Sequence, residues 1–196
     1  MKSDRVTPQV TQLDPTGLKR LHRTWRQLPA PRLAVICENL NAPYNVGSIA
    51  RTAAAYRVDH LWLTGSTPGF DQAATQKVAL GTDRFIESTT VATGVDAVDE
   101  AHAAGYVCIA IELATNAVPL FALEAELGLS ADVCLIVGHE GHGINIKTLQ
   151  AADRVAYLPL AGKVGSLNVA VAAAIAMAEI RRWCWQFPHE PTLDDR

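Results

Sequence analysis

The sequence predicts an α/β protein in which a mostly parallel sheet is flanked by helices. Two observations predict this class: short apolar runs alternate with helical patterns along the chain, and several of the runs are apolar on both faces. Strands with two apolar faces are typical of parallel sheets that helices cover on both sides. With 196 residues, of which 49% are hydrophobic and 19% charged, the chain is long enough for one such domain and too apolar for wholesale disorder.

The apolar runs and helical patterns also give the order of the elements. Strands are predicted at residues 33–38, 60–63, 85–88, 106–112, 132–138 and 154–158. Helices are predicted at residues 46–56, 72–79, 94–104, 146–152 and 167–183. Most successive strands are therefore separated by a helix, as the crossover connections of a parallel sheet require.

Pattern and charge divide the chain into three parts. Residues 1–31 are predicted to form a basic amino-terminal helical arm, residues 32–185 the main domain, and residues 186–196 a short acidic tail. The whole chain carries 17 Lys and Arg against 20 Asp and Glu, a net charge of −3. This balance excludes a generally basic nucleic-acid coat, although a local basic patch remains possible.

The arm concentrates positive charge. No acid occurs between Asp14 and Glu38, and a helix is predicted over residues 15–28, which Pro29 and Pro31 would end. The same stretch holds five cationic side chains: Lys19, Arg20, Arg23, Arg26 and Arg32. The arm could contact phosphates, or its apolar side chains could pack on the domain, and the two interpretations are compatible.

Several classes of protein are excluded by what the chain lacks. The longest uncharged apolar run, residues 169–178, is too short to span a bilayer, and residues 1–12 have no continuous apolar stretch of the kind a secretory signal needs. Cys37, Cys108 and Cys134 lie in strand-like runs, and no two cysteines form a C-x-x-C pair. We therefore expect a cytoplasmic protein with reduced core thiols and no membrane partner.

Three segments combine glycine, asparagine and other polar residues where predicted strands end. In the first, residues 38–51, a strand runs into an Asn-rich turn, and Asn45 is predicted to cap the next helix. Arg51 follows six residues later, within the first two turns of that helix. By a simpler interpretation, Asn45 is only a helix cap and Arg51 forms a surface ion pair.

The second segment, residues 135–144, is a strand followed by a glycine-rich loop. Glycines at the carboxyl end of a parallel strand let a ligand approach backbone N–H and C=O groups. Glu140 in this loop could hold a cation or a sugar hydroxyl. His139 and His142 do not fit the H-E-x-x-H pattern of a zinc-binding helix, so no metal is predicted.

The third segment, residues 157–170, resembles a phosphate-binding loop only superficially. The pattern G-x-x-x-x-G-K-[ST] fails because Val164 follows Lys163, and no G-x-G-x-x-G lies at a strand–helix junction. Both common nucleotide-binding folds are therefore disfavoured. Ser166 is predicted to cap the alanine-rich final helix.

Together, the three segments resemble the ordered motifs of SpoU/TrmH-type RNA 2′-O-methyltransferases, which belong to the SPOUT superfamily. The first motif matches at Pro43, Asn45, Gly47 and Arg51. The second and third match at residues 137–143 and 159–169, in the order and spacing of the family. The resemblance covers about residues 33–183. His139 departs from it, since the family often has Asn or another small polar residue there.

The resemblance implies a fold, a cofactor and an assembly. The α/β fold would have its carboxyl-terminal part threaded into a deep trefoil knot. S-adenosylmethionine would bind in the knot, held by the residues around Leu113, Gly138, Leu158, Ser166 and Leu167. The protein would be a homodimer through the knot and the final helix, with the active site completed across the interface.

The implied reaction transfers a methyl group to a ribose 2′-hydroxyl of RNA. By similarity Arg51 is the principal catalytic residue, either as the base or by binding a phosphate and stabilising the alkoxide. Asn45 and Glu140 would hold the active-site loops or the ribose. Ser166 and Asn168 would position the knot and the substrate.

The RNA partner is less narrowly defined. Contacts with RNA are expected from the arm, from the catalytic arginine and from one loop lysine: Lys19, Arg20, Arg23, Arg26, Arg51 and Lys163. We expect tRNA rather than rRNA, because no separate RNA-binding domain precedes the core. An rRNA methyltransferase and a non-catalytic knotted RNA-binding or assembly protein are the alternatives.

Overall fold

The computed structural model describes residues 11–128 and 130–185. The helices there are α1 (Pro15–Trp25), α2 (Pro43–Ala55), α3 (Ala73–Ala79), α4 (Gly94–Ala103), α5 (Glu124–Leu127), α6 (Ile146–Ala151) and α7 (Val169–Cys184). The strands are β1 (Leu33–Glu38), β2 (His60–Thr64), β3 (Glu87–Val91), β4 (Val107–Ile111), β5 (Val118–Pro119), β6 (Val133–Val137) and β7 (Arg154–Tyr157). The first ten residues of the predicted arm and the predicted tail at 186–196 lie outside the described residues.

The seven strands form one parallel sheet in the order β3-β2-β1-β6-β4-β7-β5. β1 lies between β2 and β6, and all six of its residues are buried, as its two apolar faces predict. The predicted α/β class is therefore confirmed. Because all strands run in one direction, the loops that follow β1, β6, β4 and β7 meet at the same end of the sheet.

Apolar side chains cover both faces of the sheet. One buried cluster joins Val35 of β1 to Ile49 of α2 and Met177 of α7. The other joins Ile36, the next residue of β1, to Val98 of α4. Successive side chains of a strand point to opposite faces, so β1 contributes to both clusters. Within the described ranges, no helix combines the length and the apolar character that crossing a bilayer requires.

The cysteines are free thiols in this core. Cys37, Cys108 and Cys134 are buried and Cys184 is partly buried, and none of them forms a disulfide. Burial raises the pKa of the Cys37 thiol to about 12, which keeps it protonated at neutral pH. The expectation that the three strand cysteines lie in the core is therefore confirmed.

Some predicted boundaries are wrong, and low burial or short length explains each error. The strand predicted at 85–88 begins at Glu87, because residues 83–85 form a 3-10 turn and β3 is an edge strand with four of its five residues exposed. Residues 118–127, for which no element is predicted, hold β5, a second 3-10 turn and α5. Elements of two to four residues are too short to show periodicity.

The arm helix α1 lies on the surface along its whole length. It ends at Trp25 rather than at residue 28, and none of its residues is buried. Leu18 and Trp25 stay 44% and 42% exposed, so neither side chain belongs to the buried core. Arg57 Nη1 ties the end of the arm to the domain by donating to the carbonyl oxygens of Arg26 and Leu28.

Arg181 anchors α7 to the rest of the fold. Only 2% of this residue is exposed, and its guanidinium group donates to three backbone carbonyl oxygens. The acceptors are Pro31 at 2.6 Å, Tyr56 at 2.7 Å and Arg57 at 2.6 Å. Desolvation lowers the pKa of Arg181 below its ordinary value. A single side chain therefore joins the final helix, the end of α2 and the segment before β1.

We expect the substitution Arg181→Met to lower the free energy of unfolding by about 3 kcal/mol, because three buried carbonyl oxygens lose their donor while the apolar stem is retained. Urea unfolding at a fixed protein concentration measures the change. The matched control is Arg182→Met at the next residue, whose exposed side chain pairs with Glu124 and Glu179. The control should cost no more than about 1 kcal/mol. Equal losses in the two variants would contradict the anchoring role.

Candidate active site

A cleft of about 560 Å³ opens where β4, β6 and β7 end. This volume is in the usual range for a site that binds a small molecule. The lining includes all five residues that are predicted to hold a cofactor: Leu113, Gly138, Leu158, Ser166 and Leu167. The structure therefore brings these residues together at the end of the sheet where parallel α/β folds bind ligands.

Two helix caps beside the cleft differ from the prediction. α2 begins at Pro43, because proline suits the first helical position, and Asn45 consequently lies inside the first turn rather than at the cap. α7 is capped by Asn168 and not by Ser166. The Asn168 side chain accepts hydrogen bonds from the N–H groups of Ala170 and Val171, at 2.9 and 3.3 Å. The Asn45 side chain is thereby available for another contact.

The glycines of the loop after β6 are required by close packing within the loop itself. A Cβ atom on Gly138 would lie only 2.4 Å from the carbonyl carbon of Gly143. His139 and Gly143 exchange backbone hydrogen bonds of 3.1 and 2.9 Å, which fold the loop back on itself. Gly143 has a φ of +69°, and a Cβ there would meet a carboxylate oxygen of Glu112 at 2.2 Å. These two glycines therefore set the loop's shape, whether or not a ligand approaches it.

Two carboxylates that the sequence analysis missed hold the end of this loop. Glu38, the last residue of β1, is 2% exposed and accepts from the Asn145 N–H at 2.9 Å and the Thr148 hydroxyl at 2.6 Å. Glu112, just after β4, accepts from the Ile144 N–H at 3.1 Å. The sequence did contain a signal for Glu38, which ends an otherwise apolar strand. An acid in that position is expected to be buried, and a buried carboxylate needs hydrogen-bond donors around it.

The Glu140 carboxylate connects the loop to the start of α2. Its Oε2 atom accepts from the Asn41 N–H at 3.1 Å, and Oε1 accepts from the Ala42 N–H at 3.2 Å and from the Asn45 amide at 2.7 Å. The Asn168 amide in turn donates to the Asn45 side-chain oxygen at 3.1 Å. The residues Asn168, Asn45 and Glu140, named below as the polar relay, thus join the three motif segments by direct hydrogen bonds.

The hydrogen bonds that Glu140 accepts also favour its charged form. Desolvation alone would raise the pKa of this carboxyl group, but the hydrogen bonds from Asn41, Asn45 and Ala42 outweigh it and hold the pKa below its ordinary value of 4.5. Because the pKa is depressed in the folded state, the charged carboxylate of Glu140 stabilises the fold fully above pH 4.5. This stabilisation is lost as the pH falls through the lowered pKa.

The rings of the two loop histidines, His139 and His142, lie against each other at a tilt, with their centres 4.5 Å apart. The His139 Nδ1 atom accepts from the backbone N–H groups of Gly141 at 2.8 Å and His142 at 3.2 Å. The other ring nitrogen, Nε2, lies 2.7 Å from the side-chain amide nitrogen of Asn41. His139 therefore braces the same turn that Glu140 holds.

Arg51 does not line this cleft. It lies on α2 and faces a second groove, which also contains Arg26 of the segment after α1, Arg57 and Arg84. In the described part of the chain, no carboxylate oxygen is within 4.0 Å of its guanidinium group. The interpretation of Arg51 as one half of a surface ion pair is therefore wrong there, and the candidate catalytic residues of one chain do not converge on one point.

The other predicted phosphate contacts are exposed but scattered. Lys163 lies in the loop between β7 and α7, close in sequence to the cleft residues 165–167. Lys19, Arg20 and Arg23 are exposed on α1, and none of them lines either the cleft or the groove. Their role in binding stays a prediction.

A group of three possible metal ligands lies at the opposite end of the sheet. Suitable atoms of His102, Cys108 and Asp153 are all within 4.8 Å of one another. Asp153 accepts from the backbone N–H of Cys108 at 2.7 Å and lies 2.8 Å from the His102 ring. These contacts already give the Asp153 carboxylate a structural role, because they connect α4 and β4 to the start of β7. The absence of a metal from the chemistry stays a prediction.

A parallel sheet with a ligand-sized cleft at its carboxyl end, closed by a tightly folded glycine loop, defines an α/β ligand-binding domain. Comparison with known proteins identifies the particular family. The model of the SpoU rRNA Methylase family matches residues 32–178, and the chain belongs to this family. The resemblance drawn from the three motifs is confirmed.

Individual relatives include enzymes named for two kinds of RNA. A tRNA (guanosine(18)-2'-O)-methyltransferase of Escherichia coli is 32% identical over 155 residues, which are 78% of this chain and 64% of the relative. A 23S rRNA (guanosine-2'-O-)-methyltransferase of Coxiella burnetii is 31% identical over 182 residues, which are 89% of this chain and 66% of the relative. The chain spans just under two thirds of the length of both relatives.

Solved structures confirm the fold. An AdoMet-bound rRNA methyltransferase from Sinorhizobium meliloti superposes with a TM-score of 0.72 at 26% identity, over 82% of this chain and 60% of that chain. A TrmH/SpoU tRNA modifying enzyme from A. aeolicus gives 0.69 at 25% identity, over 85% and 83%. The chain has the knotted α/β fold of the SPOUT superfamily, as the resemblance implied.

We expect Glu140→Gln to loosen the loop. The new NH₂ group cannot accept the hydrogen bonds that the carboxylate oxygen accepts from N–H donors. Amide protons of residues 41–42 and 141–144 should exchange about tenfold faster, measured by hydrogen–deuterium exchange. Lowering the pH of the unmodified protein through the depressed pKa of Glu140 should have the same local effect.

The control for this substitution is Glu126→Gln. Glu126 is an exposed carboxylate that pairs with Arg154 and has no contact with the loop. The substitution Glu126→Gln should leave the amide exchange of residues 41–42 and 141–144 unchanged. Unchanged exchange in Glu140→Gln as well would show that the carboxylate does not hold the loop.

Proposed function

We propose that the protein is an S-adenosylmethionine-dependent RNA 2′-O-ribose methyltransferase. The observation that supports this most directly is the polar relay, in which side chains of all three family motifs meet at the rim of the cleft. A chain that only kept the fold would not need Asn45, Glu140 and Asn168 in direct contact. The family membership and the names of the relatives support the same activity.

The cleft suits the proposed cofactor. Leu113 and Leu160 expose 63% and 37% of their surface, although both line the cleft, and a flat heterocycle would cover such apolar side chains. Gly165 leaves open space, since no atom lies within 4 Å of a Cβ added there. S-adenosylmethionine, when bound, supplies an electrophilic methyl group. The residues Leu113, Gly138, Leu158, Ser166 and Leu167 would hold it.

Arg51 would act by charge rather than as a base. A guanidinium group keeps its proton in proteins, and this one has no carboxylate partner within 4.0 Å among the described residues. It is therefore available to bind the phosphate next to the target ribose and to stabilise the alkoxide that forms on the 2′-oxygen. The polar relay would meanwhile hold the three motif segments in fixed positions at the rim of the cleft.

Because Arg51 faces away from the cleft of its own chain, we infer that the active site is completed in a homodimer. The outer face of α7 supports this arrangement: Val171 and Ile175, four residues apart on one side of the helix, are 47% and 44% exposed. Val169 and Ala172 of the same helix line the cleft. A second chain seated on this face would therefore lie next to the cofactor.

We favour tRNA as the substrate. The arm keeps its cations exposed, and a tRNA enzyme is among the relatives. An rRNA enzyme of similar identity makes rRNA the second candidate. The direct test is the transfer of tritium from methyl-labelled S-adenosylmethionine to tRNA and rRNA from cells that lack this protein. Nuclease digestion should then place the label in one 2′-O-methylated nucleotide.

The variant Arg51→Ala gives the corresponding mechanistic prediction. The rate of methyl transfer should fall by about 10²- to 10³-fold, which is the usual cost of losing a group that stabilises transition-state charge. Cofactor affinity, measured by titration calorimetry, should not change, because Arg51 is outside the cleft. Arg51→Lys should retain part of the rate without shifting the pH–rate profile. Such a shift would instead indicate that Arg51 takes the proton.

Mixed dimers test whether the site is shared between chains. Arg51→Ala supplies an intact cleft, and Gly165→Trp supplies an intact arginine with an obstructed cleft. If Arg51 acts on the partner's cleft, random mixing should restore about a quarter of the normal activity, because half of the dimers are mixed and each has one complete site. No recovery after confirmed subunit exchange would show that each chain works alone.

A further inference from the structure

The groove that contains Arg51 is a surface in its own right, separate from the cleft. It has a volume of about 1100 Å³, above the usual range for a small-molecule pocket. It lies between the arm, the end of α2 and the turn before β3. The residues named below as the basic groove are His22, Arg26, Arg51, Arg57, Arg84 and Phe85.

The charge of the basic groove fits an anionic polymer. Two acids, Asp59 and Glu87, also line it, but neither is within 4.0 Å of its arginines among the described residues. Asp59 accepts from the Leu33 N–H at 3.0 Å, and Glu87 lies 3.9 Å from His60. The four arginines therefore face the groove without direct neutralisation, as a phosphate backbone requires.

One large aromatic side chain stands among these cations. Phe85 is 66% exposed, and the guanidinium carbon of Arg84 lies 4.7 Å from the centre of its ring. The 3-10 turn that presents it is fixed, because Phe85 N–H donates to the Thr82 carbonyl at 3.0 Å and the next residue, Ile86, is buried. The ring is thus held out into the groove on a rigid turn. A side chain with two thirds of its surface in water adds little apolar burial to folding.

We propose that Phe85 and Arg84 form a stacking platform for an unstacked nucleobase of the RNA whose phosphates occupy the basic groove. This inference rests on the proposed function. Single-stranded RNA is recognised by bases stacked on aromatic rings and on arginine planes, combined with cationic contacts to the backbone. Because Arg51 lines the same groove, the platform would hold a nucleotide of the segment that is presented for reaction.

The sheet supplies a matched control for this proposal. Phe121 is a second exposed phenylalanine, at 56%, and it also lies in a 3-10 turn. It follows β5, whereas Phe85 precedes β3, and these strands are the opposite edges of the sheet. Phe121→Ala therefore removes the same group from the same kind of turn, far from the basic groove.

The test measures binding of a fluorescein-labelled single-stranded RNA and of a tRNA transcript over a range of salt concentrations. Phe85→Ala should weaken binding about 5- to 100-fold at every salt concentration, since stacking is not ionic. Phe85→Trp should restore it, and Phe121→Ala should have no effect. Arg26→Gln, which removes a groove cation outside the platform, should instead lower the slope of log affinity against log salt by about 0.7, the value for one phosphate contact.

A duplex RNA of equal length separates stacking from general adhesion. Its bases are already stacked, so Phe85→Ala should bind it as the unmodified protein does. Normal single-strand binding by Phe85→Ala would overturn the proposal. So would a shift of the monomer–dimer equilibrium in that variant, measured by sedimentation, because Phe85 would then face a second copy of this chain.

The outcome also distinguishes this proposal from the methyltransferase function. If RNA binding depends on Phe85 but no methyl group is transferred to either RNA, the platform stands and the proposed activity fails. If methyl transfer occurs and Phe85→Ala leaves both the dissociation constant and the KM for RNA unchanged, the activity stands and the platform fails.

Discussion

The carboxylate of Glu140 is the contact on which the candidate site most depends. Its two oxygens accept the N–H groups of Asn41 and Ala42, at the point where the chain enters α2, and the side-chain amide of Asn45 inside that helix. A negative charge at a helix N-terminus is stabilised by the free N–H groups there, which explains why a carboxylate suits this position. The bond from Asn168 to Asn45 extends the arrangement to α7. Three segments remote in sequence are thereby fixed relative to one another.

The glycine loop after β6 has its shape because carboxylates surround it. Glu38 from β1 and Glu112 from the end of β4 accept hydrogen bonds from backbone N–H groups at the end of the loop. Glu140 within the loop accepts from the Asn41 N–H and so ties the loop to the start of α2. Gly143 fits only because it has no side chain to meet Glu112. A wall of the cleft is therefore made of backbone held by three acids, and such a wall can present peptide groups to a ligand without reorganising.

Local pattern predicted the buried strands of the fold more accurately than the exposed or very short ones. β1 was predicted with its correct limits because both of its faces are apolar. β3 was misplaced because an edge strand with exposed side chains has no such pattern, and β5 is too short to have one. The cap of α2 was misassigned because Pro43 begins the helix before Asn45. The cap of α7 was misassigned because Ser166 and Asn168 are both good capping residues and lie close together. The knot depends on long-range strand order, so it entered only through the family resemblance.

The geometry of α2 explains why the cleft and the basic groove are separate yet coupled. Arg51 follows Asn45 by six residues, which places it about 9 Å further along the helix and about 120° around it. Asn45 can thus reach Glu140 at the cleft while Arg51 faces the groove. Since α2 is a continuous helix from Pro43 to Ala55, the polar relay that fixes its first turn also fixes the direction of Arg51. The relay would then orient the arginine toward RNA without touching it, so that the cofactor site and the RNA surface are aligned through one rigid element.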